Sequence, residues 1–440
     1  MSSRGDITDT VGEEPLGEAV GAPASGARNP VTYAETLCDR IEAVEPDVRA
    51  FVQFDRDRVT TTAARVAREH DAWSRPPLYG VPVGVKDIYH VDGFPTRAGS
   101  AVPPVALTGP ESAAVTALRG AGAYVAGKTV TTEFAHFEPG PTRNPHDLDH
   151  TPGGSSSGSA AAVAAGALPL ALGSQTIGSV IRPAAFCGIV GFKPSYGRIS
   201  VNGVVPCAPS VDQMGAFTVD VAGAQLAAGV LCDEWDAVAA EPTGERPTVG
   251  VPEGSYLDRA SETGQAAFEA AVEALDESLD VRRFELDTTS AYEHHRSLVA
   301  AEFALSHEEW FEAYGDRYAE ETVKLIESGR DTDVSTLVDA RRNREAFRTH
   351  VAEWMAEAGV DVLACPAAPG PAPESLDTTG DPVMNLPWTH AGTPVVGLPA
   401  GRVDGLPVAV QFVTPYAADE ALLAAAPDLA AALPEGELGV

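Results

Sequence analysis

Lysine is almost absent from this chain. Only Lys86, Lys128, Lys193 and Lys324 occur among 440 residues, and 30 basic residues face 63 acidic ones for a formal net charge of −33. A surface so poor in positive charge repels phosphate backbones, which excludes direct nucleic-acid binding unless a partner supplies cations. The acids are spread along the chain, not gathered in a tail. That distribution points to adaptation to high salt, where self-repulsion is screened over a few ångströms. Long apolar runs are missing too: none approaches the ~20 residues that cross a bilayer. Cysteine is scarce and odd in number, and Cys38, Cys187, Cys207, Cys232 and Cys365 lack metal-ligand spacing, so buried free thiols and no bound metal are expected. The N-terminus carries Asp6, Glu13 and Glu14 and no apolar signal-peptide segment. A cytoplasmic enzyme fits these absences.

Hydrophobic residues make up 44% of the chain, enough for a substantial core. Residues 1–29, rich in Gly, Ala, Ser and acids, read as a loose acidic arm. Thr32 with Glu35 forms a capping-box pattern for a first helix that Pro46 should stop, and a second helix is expected over Arg58–Trp73. Strands are expected at Leu78–Val85, Ala123–Ala126, Leu168–Leu172, Thr248–Val251, Val281–Leu286, Asp361–Cys365, Val395–Leu398 and Val408–Val413, with a further strand and turn at Tyr196–Ser200. Helices are expected at Ser112–Arg119, Ala160–Ala165, Thr263–Leu279, Ala291–Tyr314, Tyr318–Ser328, Ser335–Ala358 and Asp419–Leu433, and the segment Val201–Leu231 reads as a loop and helix. Strands mixed with helices along the whole length predict an α/β fold, one extended domain over 30–440 with a helical covering region at about 288–358.

Two stretches carry chemistry. The apolar run ending at Val85 delivers Lys86, and a chain that discards nearly all its lysines has little reason to place one beside a buried strand without a task. The segment Pro152–Pro194 has two small-residue loops, Gly153-Gly154-Ser155-Ser156 and Thr176-Ile177-Gly178-Ser179, whose amides and hydroxyls can approach a bound group closely. Gly122–Thr129 matches the phosphate-loop pattern G-x-x-x-x-G-K-T. Ala123, Tyr124, Val125 and Ala126 would, however, occupy a strand and spend their amides on a ladder, so the match is read as chance. His294, His295 and His307 fall on helices without carboxylates at metal-binding spacing and are read as surface or satisfied histidines. His136, Asn385, Trp388 and His390 could line a pocket, with core or surface roles favoured. A serine needs a base to become a nucleophile; no G-x-S-x-G elbow with a histidine partner occurs, and a neutral lysine can do that work where burial lowers its pKa.

The chain resembles the amidase signature family, serine hydrolases with a Ser-cisSer-Lys triad. The resemblance is carried by Tyr79-Gly80-Val81-Pro82-Val83-Gly84-Val85-Lys86-Asp87, Gly127-Lys128-Thr129 with Glu133-Phe134, Gly153-Gly154-Ser155-Ser156, Ser179 followed by Pro183-Ala184-Ala185-Phe186-Cys187-Gly188, and Leu398-Pro399-Ala400-Gly401 with Gly405-Leu406-Pro407-Val408. It implies a mixed β-sheet core covered by helices on both faces. It further implies Lys86 as base, Ser155 as the serine with a cis peptide bond that relays the proton, Ser179 as nucleophile, and the backbone of Thr176, Ile177, Gly178 and Ser179 as oxyanion hole. The implied reaction is hydrolysis of a small-molecule carboxylic amide through an acyl-enzyme, with no cofactor, no metal and no membrane, and with a homodimer left open. The alternative is the amide-splitting A-type component of a tRNA-dependent amidotransferase. Where many members read Asp-Thr-Gly-Gly-Ser-Ile-Arg, this chain has Gln175-Thr176-Ile177-Gly178-Ser179-Val180-Ile181-Arg182. The missing Asp and the lost glycine count against the amidotransferase alternative, and the displaced Arg182 is read as a structural ion-pair partner. If the acidic excess is a salt adaptation, the thermal midpoint should rise from dilute buffer to molar KCl; equal midpoints would refute it.

Overall fold

The computed structural model describes residues 16–19, 29–70 and 75–440. Most of the expected N-terminal arm lies outside them. Residues 16–19 form one helical turn with Leu16 and Ala19 buried, Leu16 beside Gly223. Among the described residues the helices are α1 (Pro30–Val48), α2 (Arg56–Glu69), α3 (Ala113–Gly120), α4 (Ser157–Ala164), α5 (Ile181–Cys187), α6 (Val221–Leu231), α7 (Glu262–Asp276), α8 (Thr289–Ser306), α9 (Glu308–Tyr314), α10 (Glu320–Arg330), α11 (Val334–Ala358), α12 (Leu386–Ala391) and α13 (Asp419–Ala432). The strands are β1 (Phe51–Phe54), β2 (Pro82–Lys86), β3 (Tyr124–Thr129), β4 (Leu170–Gln175), β5 (Val190–Lys193), β6 (Gln213–Thr218), β7 (Thr248–Glu253), β8 (Asp280–Glu285), β9 (Val362–Pro366), β10 (Val395–Val403) and β11 (Leu406–Val413).

All these strands join one 11-stranded mixed sheet in the order β1-β3-β2-β4-β6-β5-β10-β11-β9-β7-β8, flanked by helices. The inner strands β2, β3, β4 and β6 are buried at every position, as expected of strands covered on both faces. The edge strand β8 instead carries Asp280, Arg282, Arg283 and Glu285, mostly exposed, and such charges discourage pairing with another chain. β3 runs through the residues of the apparent phosphate loop and pairs with β1 and β2, so their amides serve the ladder. The Asp404-Gly405 turn between β10 and β11 has positive φ at both residues (51° and 80°), the conformation a tight two-residue hairpin needs.

The alanine-rich α4 is buried at every position, and its small side chains let it lie against the sheet. A Cβ at Gly158 would sit 2.2 Å from the Ala50 carbonyl oxygen and 2.3 Å from the Val130 nitrogen, so only glycine fits there. The helical region 289–358 is tied to the sheet side through an aromatic cluster. Phe134 stacks on Tyr318 with centroids 4.9 Å apart and meets His307 edge-on at 4.6 Å, and His307 stacks on Phe303.

Several local expectations differ from the structure. α1 is capped by Asn29, whose side chain accepts from the Val31 amide, because Pro30 takes the first helical position; Thr32 lies inside the helix. Pro46 does not stop α1, which runs to Val48 and closes on Arg49 in the left-handed region. α2 starts two residues early on its Asp55 cap and ends at Glu69; residues 71–74 of its expected end lie outside the described ones. Tyr196–Ser200 is a turn without a strand. The expected helix at 291–314 is two helices that meet at His307. The short strands β1, β5 and β6 and the short helices α5 and α12 give too little periodicity to be read from sequence. All five cysteines are buried free thiols. Among the described residues no helix is long and apolar enough to cross a membrane, and no group of His, Cys, Asp and Glu could hold a metal ion.

Candidate active site

β2 and β4 are adjacent and parallel, with Val85 opposite Leu172, so their C-terminal ends present Lys86 and Ser174 side by side. Lys86 Nζ lies 2.7 Å from Ser155 Oγ and 2.9 Å from Ser174 Oγ, and the side chain is fully buried. Burial, with no carboxylate in contact, pushes its pKa down to about 7. A neutral amine keeps two N–H groups and a lone pair, so it can donate to Ser174 while accepting from Ser155. The next residue is treated differently. Asp87 pairs with Lys128 Nζ at 2.7 Å, and Lys128 also donates to the Tyr89 carbonyl, so the second buried lysine has the carboxylate that Lys86 lacks.

Ser155 lies in the loop ahead of α4, on the cis peptide bond Gly154–Ser155. Gly153 has φ 82°, and a Cβ there would meet Pro183 Cα at 2.8 Å. Ser179 lies between β4 and α5. Its hydroxyl makes no hydrogen bond with the described residues and faces a cavity, so the structure joins Lys86 to Ser155 but does not join Ser155 to Ser179 by a hydrogen bond.

The loop Thr176–Ser179 is held from outside, leaving its own amides free. Gln175 Oε1 accepts from the amides of Val180 and Ile181 at 2.8 and 3.0 Å, and Gln175 Nε2 donates to Thr389 Oγ1 at 2.9 Å. Thr389 Oγ1 donates to the Ile177 carbonyl at 2.6 Å. Thr176 Oγ1 donates to Asp212 Oδ1 at 2.6 Å, and His295 Nε2 is 3.0 Å from the Thr176 carbonyl oxygen, which places its proton on Nε2. The amides of Ile177, Gly178 and Ser179 donate to nothing among the described residues. Ile177 therefore adds a side chain beside the loop without consuming a donor. Gly178 cannot be replaced in the same way, since a Cβ would lie 2.4 Å from Asn385 Oδ1 and 2.8 Å from Pro382 Cβ.

Of the residues read as core or pocket candidates, Asn385 backs Gly178, and Trp388 is buried and donates to Tyr256. His390 stands 3.3 Å from His295 Nδ1, and His136 lines the cavity. His295 and His307 are buried and bonded to backbone carbonyls. The supporting roles of Ser174, Gln175, Asp212, His295 and Thr389 carry no motif and are not legible in the sequence; of these, only Gln175 gives a signal, as a departure from a family pattern. The expected ion pair of Arg182 is not present among the described residues. It donates through Nη2 to the Gly154 carbonyl at 2.7 Å and to Thr379 Oγ1 at 3.1 Å, because its turn of α5 faces the Ser155 loop and no carboxylate stands there.

The cavity at Ser179 adjoins a larger one of about 310 Å³, and the two share His136, Phe137, Ile177, Val299 and Pro382. Chemically, the arrangement offers a hydroxyl, a buried amine linked to a second hydroxyl, and unsatisfied amides beside a partly open cleft that suits a small organic molecule. Only the neutral form of Lys86 can take a proton. kcat/KM for an uncharged substrate should therefore fall about ten-fold per pH unit below a midpoint near 7 and level off above it. A profile flat from about pH 5 to 9 would remove Lys86 from the base role.

A family model for amidases matches residues 33–423. The A component of the glutamyl-tRNA(Gln) amidotransferase from Symbiobacterium thermophilum is 34% identical, over 91% of this chain and 92% of that protein. Its counterpart from Roseiflexus castenholzii is 32% identical, with 91% and 92% covered. Among solved structures, an amidase crystal structure superposes with a TM-score of 0.87 at 33% identity, covering 96% of this chain and all (100%) of that one. The native peptide amidase of Stenotrophomonas maltophilia gives 0.82 at 26% identity, with 95% and 96% covered. Over nearly its whole length this chain belongs to the amidase family.

Proposed function

We propose that the chain hydrolyses a small-molecule carboxylic amide through an acyl-enzyme on Ser179, with Ser155 and Lys86 as proton relay. The observation that carries this reading is Lys86, buried without a carboxylate and bonded to Ser155. Lys86 takes the proton of Ser155, Ser155 takes that of Ser179, and the Ser179 oxygen attacks the amide carbonyl carbon. The relay requires the Ser179 hydroxyl to turn toward Ser155 as substrate enters, and catalytic contacts commonly tighten at that point. The carbonyl oxygen becomes an oxyanion on the amides of the Thr176–Ser179 loop, where one donor is worth about 3 kcal/mol. The proton returns through Ser155 to the leaving nitrogen, the C–N bond breaks, and ammonia or an amine departs. Water then gives its proton to the same relay, attacks the acyl carbon and releases the acid with Ser179 restored.

Residues 30–440 act in this reading as one catalytic unit, with the helices of about 288–358 as the wall on the substrate side. Small primary or aryl amides suit the largely apolar walls of the two cavities. The acidic surface suits work in a salt-rich cytoplasm, without direct contact to nucleic acid. A second reading, the ammonia-supplying A component of an amidotransferase, is favoured by the similarity to the Symbiobacterium and Roseiflexus proteins. Gln175 in place of the usual Asp and Ile177 in place of glycine weigh against it. The purified chain should release ammonia from simple amides with no partner added; release that needs a partner protein would reverse the order of the two readings.

A fluorophosphonate probe followed by peptide mapping tests the chemistry. Labelling is expected at Ser179 and should be lost in Lys86→Ala, whereas labelling elsewhere, or none in active enzyme, would overturn the assignment.

A further inference from the structure

His295 and His390 are fully buried and face one another, Nδ1 to Nδ1, at 3.3 Å, with 76° between their ring planes. They come from different helices, α8 and α12, and a third, α11, brings the Asn343 side-chain amide to 3.0 Å from His390 Nε2. At the other end, His295 Nε2 meets the Thr176 carbonyl oxygen at 3.0 Å. Burial pushes His295 down to about 4 and His390 to about 2, and Arg344 adds to both shifts, so each ring is neutral at ordinary pH and carries one N–H. A carbonyl can only accept, so the His295 proton is on Nε2 and its Nδ1 is a lone pair. His390 must then donate from Nδ1, which leaves its own Nε2 as an acceptor, and the Asn343 amide must offer it Nδ2. With Asn343 Oδ1 in that place, two buried lone pairs would face each other across 3.3 Å. The O and N ends of an amide exchange by a half-turn about its last torsion, and only one setting completes the chain.

We infer that His390 and Asn343 are positioning residues for the oxyanion donor on Ile177, acting through the tautomer they impose on His295. This rests on the acyl-enzyme reading above. In a trans peptide, the C=O of one residue and the N–H of the next lie in one plane and point opposite ways, and the Thr176–Ile177 bond is trans. The Thr176 carbonyl held by His295 therefore aims the Ile177 N–H, which donates to nothing among the described residues. The Ile177 carbonyl held by Thr389 aims the Gly178 N–H in the same manner. Thr389 and His390 are consecutive residues of α12, so one short helix governs both peptide planes, one directly and one through His295. A donor on the carbonyl also polarises the peptide and strengthens the N–H on its far side. With the His295 proton on Nδ1 instead, a lone pair would face the Thr176 oxygen and turn the plane away. The relay acts on charge that develops only in the transition state, so its loss is expected in kcat and not in KM.

Nitrogen NMR of the wild-type chain labelled with isotopic histidine should find the His295 proton on Nε2 and the His390 proton on Nδ1, each signal assigned by its loss on substitution. A His390 proton on Nε2 would overturn the relay. In His390→Leu, kcat per fluorophosphonate-labelled Ser179 should fall about ten-fold or more, short of the ~10²–10³-fold cost of removing a donor outright, with KM within about two-fold. Counting labelled sites separates this from misfolding, which lowers the number of sites and leaves kcat per site intact. His390→Asn, which keeps an N–H near the place of Nδ1, should recover most of the loss. His295→Gln supplies Thr176 with a donor that no longer depends on a tautomer. Whatever that change costs by itself, adding His390→Leu should then cost much less than it does in the wild type. Unchanged kcat per site in His390→Leu, or an equal loss in both backgrounds, would reduce His390 to packing while the amidase reading stands. If Ser179 does not label in active enzyme, the acyl-enzyme reading has failed and the oxyanion role with it.

Discussion

An ammonium group enclosed by protein, with two serine hydroxyls and no carboxylate against it, is held near the point of losing its proton. That is the condition of Lys86, and the rest of the site depends on it. The other buried lysines show that burial alone does not set the outcome. Lys128, equally enclosed, has Asp87 at 2.7 Å and serves as half of an ion pair. Burial pushes Lys193 down to about 7 as well, but this lysine is surrounded by oxygen acceptors, the carbonyls of Pro194 and Thr393 and the side chain of Gln213, and faces no hydroxyl from which it could take a proton. Of the three, only Lys86 faces hydroxyls that can give up a proton. Desolvation favours the neutral amine near pH 7, and the two serine hydroxyls are the groups its nitrogen faces.

The sheet makes this arrangement rigid. Because β2 and β4 are parallel neighbours, Lys86 and Ser174 leave the same edge, and the loop carrying Ser179 starts immediately after β4. The loop would be free to spend its amides on its own carbonyls, but Gln175, Thr389 and His295 take those duties from both sides. Asn385 closes against Gly178, leaving no room for a Cβ. The result is a preorganised set of donors with no partner of their own, the form in which backbone amides stabilise developing charge most effectively. The helical region contributes His295 to this support and Val299 to the cavity wall, and its aromatic contact with Phe134 keeps it in place.

Much of this is legible in residues whose chemistry depends on local order: Lys86 at a strand end, and the glycine and serine runs around Ser155 and Ser179. The α/β class and the longer helices are legible from periodicity. What stays hidden depends on contacts between distant segments. Thr389 and His295 reach the Ser179 loop from more than 100 positions away, and no local pattern records that. Short strands such as Val190–Lys193 have too few residues to show alternation, and their burial on both faces erases it. Arg182 escapes sequence reasoning for a related reason. A buried arginine in so acidic a chain suggests an ion pair, whereas the fold surrounds this one with a carbonyl, a threonine and a cavity.

The scarcity of lysine makes the central claim directly measurable. With only four lysines in the chain, the side-chain signal of each can be followed by NMR through a pH titration of protein labelled with isotopic lysine, and Lys86 is assigned by its loss in Lys86→Met. A Lys86 midpoint near 7 is the predicted result. A Lys86 that stays charged to about pH 10, the ordinary range for an exposed lysine, would contradict the account.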